Sequence, residues 1–172
     1  EPDAVLTILA HEAGHVQHRH GMRTAIRASV VRLSNSGTLQ AGQQVQLQGQ
    51  DMLQAGAIQA RQIQINATGN MDNSGTLTAG PGGLSVQSGA TLDNRTTGHM
   101  QSQAQINLQA AQLNNAGQIM AQSDVHLQAQ DLQNSAHIQA VGQLTAQAQR
   151  IQNSATLLGN DLTLTSQTLS NS

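Results

Sequence analysis

Apolar and small residues alternate with polar ones along most of this chain. From Leu33 to Gly49 the odd positions read Leu, Asn, Gly, Leu, Ala, Gln, Val, Leu, Gly, and Ser, Thr, Gln and Gly fill the even ones. A period of two turns successive side chains to opposite faces, which marks strand rather than helix. The alternation recurs in "LSNSGTLQAG" (33–42), "MLQAGAIQAR" (52–61), "MDNSGTLTAG" (71–80), "LNNAGQIMAQ" (113–122), "LQNSAHIQAV" (132–141) and "IQNSATLLGN" (151–160). Each follows the pattern apolar–x–Asn–x–Gly/Ala–x–apolar–x–small, with variations. A second apolar pair follows each time, as in Val45/Leu47, Ile63/Ile65, Leu84/Val86 and Ile106/Leu108.

The Gly/Ala position falls at Gly37, Gly56, Gly75, Gly98, Gly117, Ala136 and Ala155, in steps of 19, 19, 23, 19, 19 and 19. The long step comes from two extra residues between Asn94 and Gly98, and from "AGPGGLSV" (79–86), which lengthens the preceding turn. Two or three short strands per period cannot enclose a core alone, but stacked coils of chain can. Each coil then hydrogen-bonds to its neighbours about 4.8 Å away. The pattern predicts an all-β fold: a parallel β-helix of about seven 19-residue coils over 31–172, some 30–35 Å long. Right-handed winding is expected from the general handedness of parallel crossovers.

Asn35, Gln54, Asn73, Asn94, Asn115, Asn134, Asn153 and Asn171 hold one place in successive coils. Stacked amides can donate and accept along a rod as a ladder, or each can satisfy its own turn backbone. Both roles are structural, and the sequence leaves both open. The small residue two places on suits a tight turn. Asp51, Asp72, Asp93, Asp124, Asp131 and Asp161 are read as turn formers, and His99, His126 and His137 as surface polar groups.

Composition agrees with a rod rather than a globule. The chain has no Phe, Trp, Tyr, Cys or Lys, and only 9% charged residues. Without aromatics a compact core lacks its bulkiest packing groups, although Leu, Ile, Val and Ala can fill a thin one. The net charge of -2 nominates no partner and argues against a nucleic-acid footprint. No apolar run approaches the ~18 residues of a membrane span. The chain opens at Glu1 without a signal peptide and reads as a segment of something longer. "LSNS" (169–172) begins a further coil, so end-to-end or edge association through the open end of the stack is expected.

Residues 1–30 change period. Val5, Ile8/Leu9, His15/Val16, Met22, Ile26 and Val30 recur at helical spacing, with Asp3 as N-cap. This predicts an amphipathic helix that precedes the first coil and caps the raw end of the stack. Arg19, Arg23 and Arg27 would form its solvated face. Within it, His11-Glu12-Ala13-Gly14-His15 is an HExxH motif. On a helix, His11 and His15 share a face and can bind one Zn²⁺, with Glu12 placed as general base. No glutamate follows Glu12 to supply a third ligand. His18 lies about 10.5 Å along the axis from His11, too far to share an ion held at about 2.0–2.1 Å.

Two family resemblances follow from these residues. The 19-residue period with its L-x-N-x-G-x-L-x-A signature resembles the repeats of the filamentous-haemagglutinin family, over 31–172. That family comprises bacterial exoproteins of two-partner secretion, including adhesins and contact-dependent inhibition toxins. The resemblance implies a right-handed β-helical stalk, secreted or on the cell surface, with a receptor on a host or bacterial cell as partner and no catalytic residue. "LAHEAGHVQHRHGMR" (9–23) resembles the HExxH helix of gluzincin metallopeptidases of the HtpX and CAAX-prenyl-protease kind. That resemblance implies zinc held by His11 and His15, Glu12 as base, and a membrane-associated protein. Three readings result: a structural or adhesive stalk, a zinc metalloendopeptidase fragment fused to the repeat, and the stalk of a contact-dependent toxin.

Overall fold

The computed structural model describes the backbone of Val5–Ile8 and Arg23–Arg27 and all of residues 32–172. The chain winds into a parallel β-solenoid of about seven coils with three faces. The first, the asparagine face, is a nine-stranded parallel sheet. It runs from Val5–Ile8 through Arg32–Asn35, Asp51–Gln54, Met71–Asn73, Thr91–Asn94, Gln112–Asn115, Asp131–Asn134 and Arg150–Asn153 to Thr168–Asn171.

A twelve-stranded sheet makes the other two faces. In the early coils one long strand covers both: Thr38–Gly49, Ala57–Ala67 and Thr76–Ser88. The register shifts by a bulge between Ala41 and Gln44 and between Ala60 and Gln62. At that corner of the third long strand stand Pro81 and Gly83, and Gly83 has φ 84°. A bulge tolerates both a missing N–H and a left-handed backbone. In later coils the corner separates two short strands, as in Gln118–Ala121 and Val125–Gln128. Arg23–Arg27 pairs with 44–48 on the third face.

Alternation decides what is buried. On the asparagine face Leu33, Met52, Met71, Leu92, Leu113, Leu132 and Ile151 stack inward. Ile58, Leu77, Met100, Ile119 and Ile138 do so on the second face, and Val45, Ile63, Leu84, Ile106, Val125 and Leu144 on the third. The core is a narrow aliphatic column, which explains how a chain without aromatics fills it. Leu53 is apolar but out of phase: it lies between the inward Met52 and Gln54 on an outward position.

The turn between the first and second faces is tight. A Cβ on Gly75 would run into the Gly56 carbonyl oxygen of the coil below, whose oxygen accepts from Thr76 N–H at 2.9 Å. Where Ala155 stacks over Ala136 the equivalent bond, from Thr156 N–H to the Ala136 carbonyl, is 3.3 Å. Glycine lets adjacent turns close together, and alanine holds them slightly apart.

The described backbone corrects the N-terminal expectation in two places. Val5–Ile8 is a strand in register with Arg32–Asn35, and Arg23–Arg27, with Arg23 and Arg27 at its ends, is a strand on the third face. Both were expected to be helical. Four or five residues satisfy a period of two as well as one of 3.6, and the unpaired edge of the first full coil favours strand addition. The rest of the predicted helix, including His11, Glu12, His15 and Arg19, lies outside the described residues.

Phase should govern mutational cost. Leu113→Ala opens a cavity in the column and should cost about 2–5 kcal/mol, while Leu53→Ala on the outward phase should stay within about 0.5 kcal/mol. Urea denaturation of the two variants beside the wild type checks this.

Candidate functional site

The most developed side-chain construction is the buried amide column of the asparagine face. Asn35 Nδ2 donates to Gln54 Oε1 at 2.8 Å. Asn73 donates to Asn94, Asn94 to Asn115, Asn115 to Asn134 and Asn134 to Asn153, each at 2.8 Å. Asn153 donates to Asn171 at 2.6 Å. The two alternatives left open by the sequence coexist. Each amide NH₂ carries two hydrogens, and Asn134 gives one to Asn153 and one to the Ala136 carbonyl of its own turn, both at 2.8 Å. Asn153 does the same with Asn171 and Ala155 O.

The column is interrupted once. Gln54 Nε2 donates to its own turn at Gly56 O, 2.8 Å, and no bond joins it to Asn73. Its extra methylene carries the amide past the position from which an asparagine bonds upward. Asn73 Oδ1 is left buried without a hydrogen bond. A buried acceptor without a partner is costly, so Gln54 is the weak joint of the ladder.

The aspartates divide into two groups. Asp51, the first residue of its strand, and Asp124, just before Val125–Gln128, act on the coil above rather than on their own turn. Asp51 Oδ1 accepts from Asn70 N–H at 2.7 Å, and Asp124 Oδ1 from Gln143 N–H at 2.7 Å. A Cβ on Gly69 or Gly142 would meet these carboxylates, so glycine precedes each capped residue. The Gln143 bond holds Asp124 below the ordinary carboxylate range, opposed by desolvation and aided by the Ser123 hydroxyl and nearby His126.

Asp72, Asp93 and Asp131, like Asp51 and Asp161, correct the turn-former reading, because they lie within strands. Asp72 and Asp93 are stacked in register. Their neighbour Arg95 belongs to the two-residue insertion: its Nε sits 3.0 Å from Asp72 Oδ1, and its Nη2 3.5 Å from Asp93 Oδ2. Asn114 Nδ2 donates to Asp93 Oδ1 at 2.7 Å. Asp72 and Asp93 in turn raise the pKa of Arg95. Asp131 pairs with Arg150 of the next coil at 3.4 Å. Apart from Asp93 and Arg95, two residues apart, these partners lie about one repeat away and were not legible locally.

The described histidines stay apart. His99 Nδ1 lies 3.1 Å from Gln118 Oε1, His137 Nε2 lies 3.0 Å from Gln139 Oε1, and His126 is exposed on the third face. Among the described residues no three His, Asp or Glu side chains gather into a metal cluster. The zinc expectation rests on His11, Glu12 and His15, which are outside the described residues.

A stack of parallel coils bearing one inward amide per turn defines a structural repeat rod. The haemagglutinin repeat family matches residues 12–75 and 76–172, nearly the whole chain, and the protein belongs to that family. The match includes part of the HExxH run. The chain is also 35% identical over 109 residues to a "tRNA nuclease CdiA" from Yersinia mollaretii. That alignment covers 60% of this chain and 4% of the relative, so the chain spans a small fraction of its length. No solved structure matches. The protein is a segment of the stalk of an exported filamentous haemagglutinin-type exoprotein.

Two outcomes follow. Gln54→Asn should let position 54 donate to Asn73 Oδ1 and stabilise the rod by about 1 kcal/mol, read as a higher urea midpoint at unchanged slope. Asp124 contributes stability above the unfolded carboxylate pKa of about 3.9, and this is lost as pH falls through its lowered folded value. Asp124→Ala should therefore be less stable at neutral pH and less acid-sensitive below about pH 4, measured by thermal melts across that range.

Proposed function

We propose that this segment is a stiff spacer in the stalk of a contact-dependent toxin, holding the ends of a longer exoprotein apart at the cell surface. The observation that carries the reading is the similarity to a stretch of the tRNA nuclease CdiA. The geometry supports it. Each coil joins the next through three parallel ladders, and the amide column adds a buried bond at most joints. Such a rod lengthens by about 4.8 Å per coil, and its length depends on the number of coils rather than on the identity of any one. On this reading, the Gln-rich outward positions keep the rod hydrated without adding charge.

An adhesive stalk is the second reading. It differs by concentrating function in particular coils. Removing residues 113–131, one repeat, joins Gln112 to Leu132 in phase and lets Asn94 meet Asn134. In the full-length exoprotein a spacer should survive this deletion, or deletion of another whole coil, with toxin delivery to contacted cells reduced in a graded way. Delivery or attachment abolished by one coil and untouched by the others would instead assign a binding site to that coil.

A further inference from the structure

The third face carries a ridge. Gln48, Asn66, Gln87, Gln109, Gln128 and Gln147 occupy one outward position in six successive coils, in register. All six are exposed. Gln109 accepts a long bond from Gln87 at 3.4 Å. Gln128 and Gln147 make no side-chain hydrogen bond among the described residues, so both halves of their amides face outward.

A groove runs along each side of this ridge. The larger, of about 640 Å³, is floored by Ala67, Ser88, Ala110 and Ala129 and walled on its far side by Thr68, Gly89, Ala111 and Gln130. Almost all of these are small, and none is charged. The smaller groove, of about 180 Å³, separates the ridge from Gln46, Gln64 and Ser85. A row of long amides therefore stands beside an open trough lined by small, uncharged residues.

We propose that this face pairs laterally with a second copy of the chain, each amide ridge seated in the Ala-floored groove of the other. Periodicity selects the partner. A row of amides spaced at about 4.8 Å is matched along its length only by a surface of the same repeat. Each amide both donates and accepts, so two such rows satisfy one another, as amide rows do between the sheets of cross-β stacks. A two-fold axis makes the contact self-complementary, because each copy supplies both ridge and groove. The six ridge residues and the larger groove contain no charge, so pairing along these coils sets no like charges in contact; the row continues one coil below Gln48 at Arg27.

Area sets the strength. The larger groove spans four coils; four coils at about 4.8 Å by five residues at about 3.3 Å give roughly 300 Å² per copy, near 600 Å² in all, below the range of stable specific interfaces. Pairing at this length is weak and reversible, and it strengthens with each additional coil.

Sedimentation equilibrium of the full 172-residue chain over a wide concentration range tests this. A monomer–dimer equilibrium is expected. Gln109→Arg/Gln128→Arg should weaken it about tenfold or more, by placing like charges across the contact. Gln133→Arg/Gln152→Arg adds the same charge to the asparagine face and should leave it unchanged. All four sites are exposed, and circular dichroism reports retained β-structure. A monomer at every concentration overturns the proposal. So does a dimer indifferent to the ridge charges, which would point to association through the open ends, or one equally sensitive to the control pair.

Discussion

Everything in this rod depends on the hydrogen bond between one coil and the next. No coil encloses a core of its own, so each is stable only against a neighbour. Backbone ladders supply most of these bonds, and the inward asparagines extend the same logic to side chains. A buried amide is costly unless both its halves are satisfied. The coil spacing allows one half to meet the next amide and the other to close its own turn, as at Asn134 and Asn153. An aliphatic side chain could fill that space but could bond neither the turn nor the neighbouring coil. The amide thus couples the tightness of each turn to the stacking of coils.

Other details follow from that coupling. Glycine at the following turn lets one coil approach the carbonyl of the coil below, and the turn bond is longer where Ala155 stacks a methyl over the Ala136 carbonyl. Aliphatic side chains suffice for the core because it is only a few side chains across and continuous along the axis. Among the described residues charges are confined to outward positions and corners, and two of the arginines, Arg95 and Arg150, pair with an aspartate of an adjacent coil.

The repeat, the strands and the inward positions were readable because each is set by spacing within one period. What escaped was whatever depends on two coils at once. Asp72 and Asp93 look like turn residues next to Asn73 and Asn94, and only stacking places them side by side under Arg95. Leu53 counts as apolar by composition, but its phase turns it outward. Val5–Ile8 and Arg23–Arg27 fit a helical spacing because such short segments fit either period, and the edge they join decides in favour of strand. The dual bonding of the amides was half visible: the sequence showed the column but not that one NH₂ could serve both partners.

The insertion around Arg95 has a consequence for how the stack assembles. A rod of near-identical repeats is degenerate: a coil displaced by one period would meet almost the same neighbours. The two additional residues and the Asp72–Asp93–Arg95 cluster occur in one place only, and they fit only when two particular strands, Met71–Asn73 and Thr91–Asn94, are adjacent. They act as an index mark in an otherwise translationally symmetric structure, which makes a slipped arrangement energetically distinguishable from the native one.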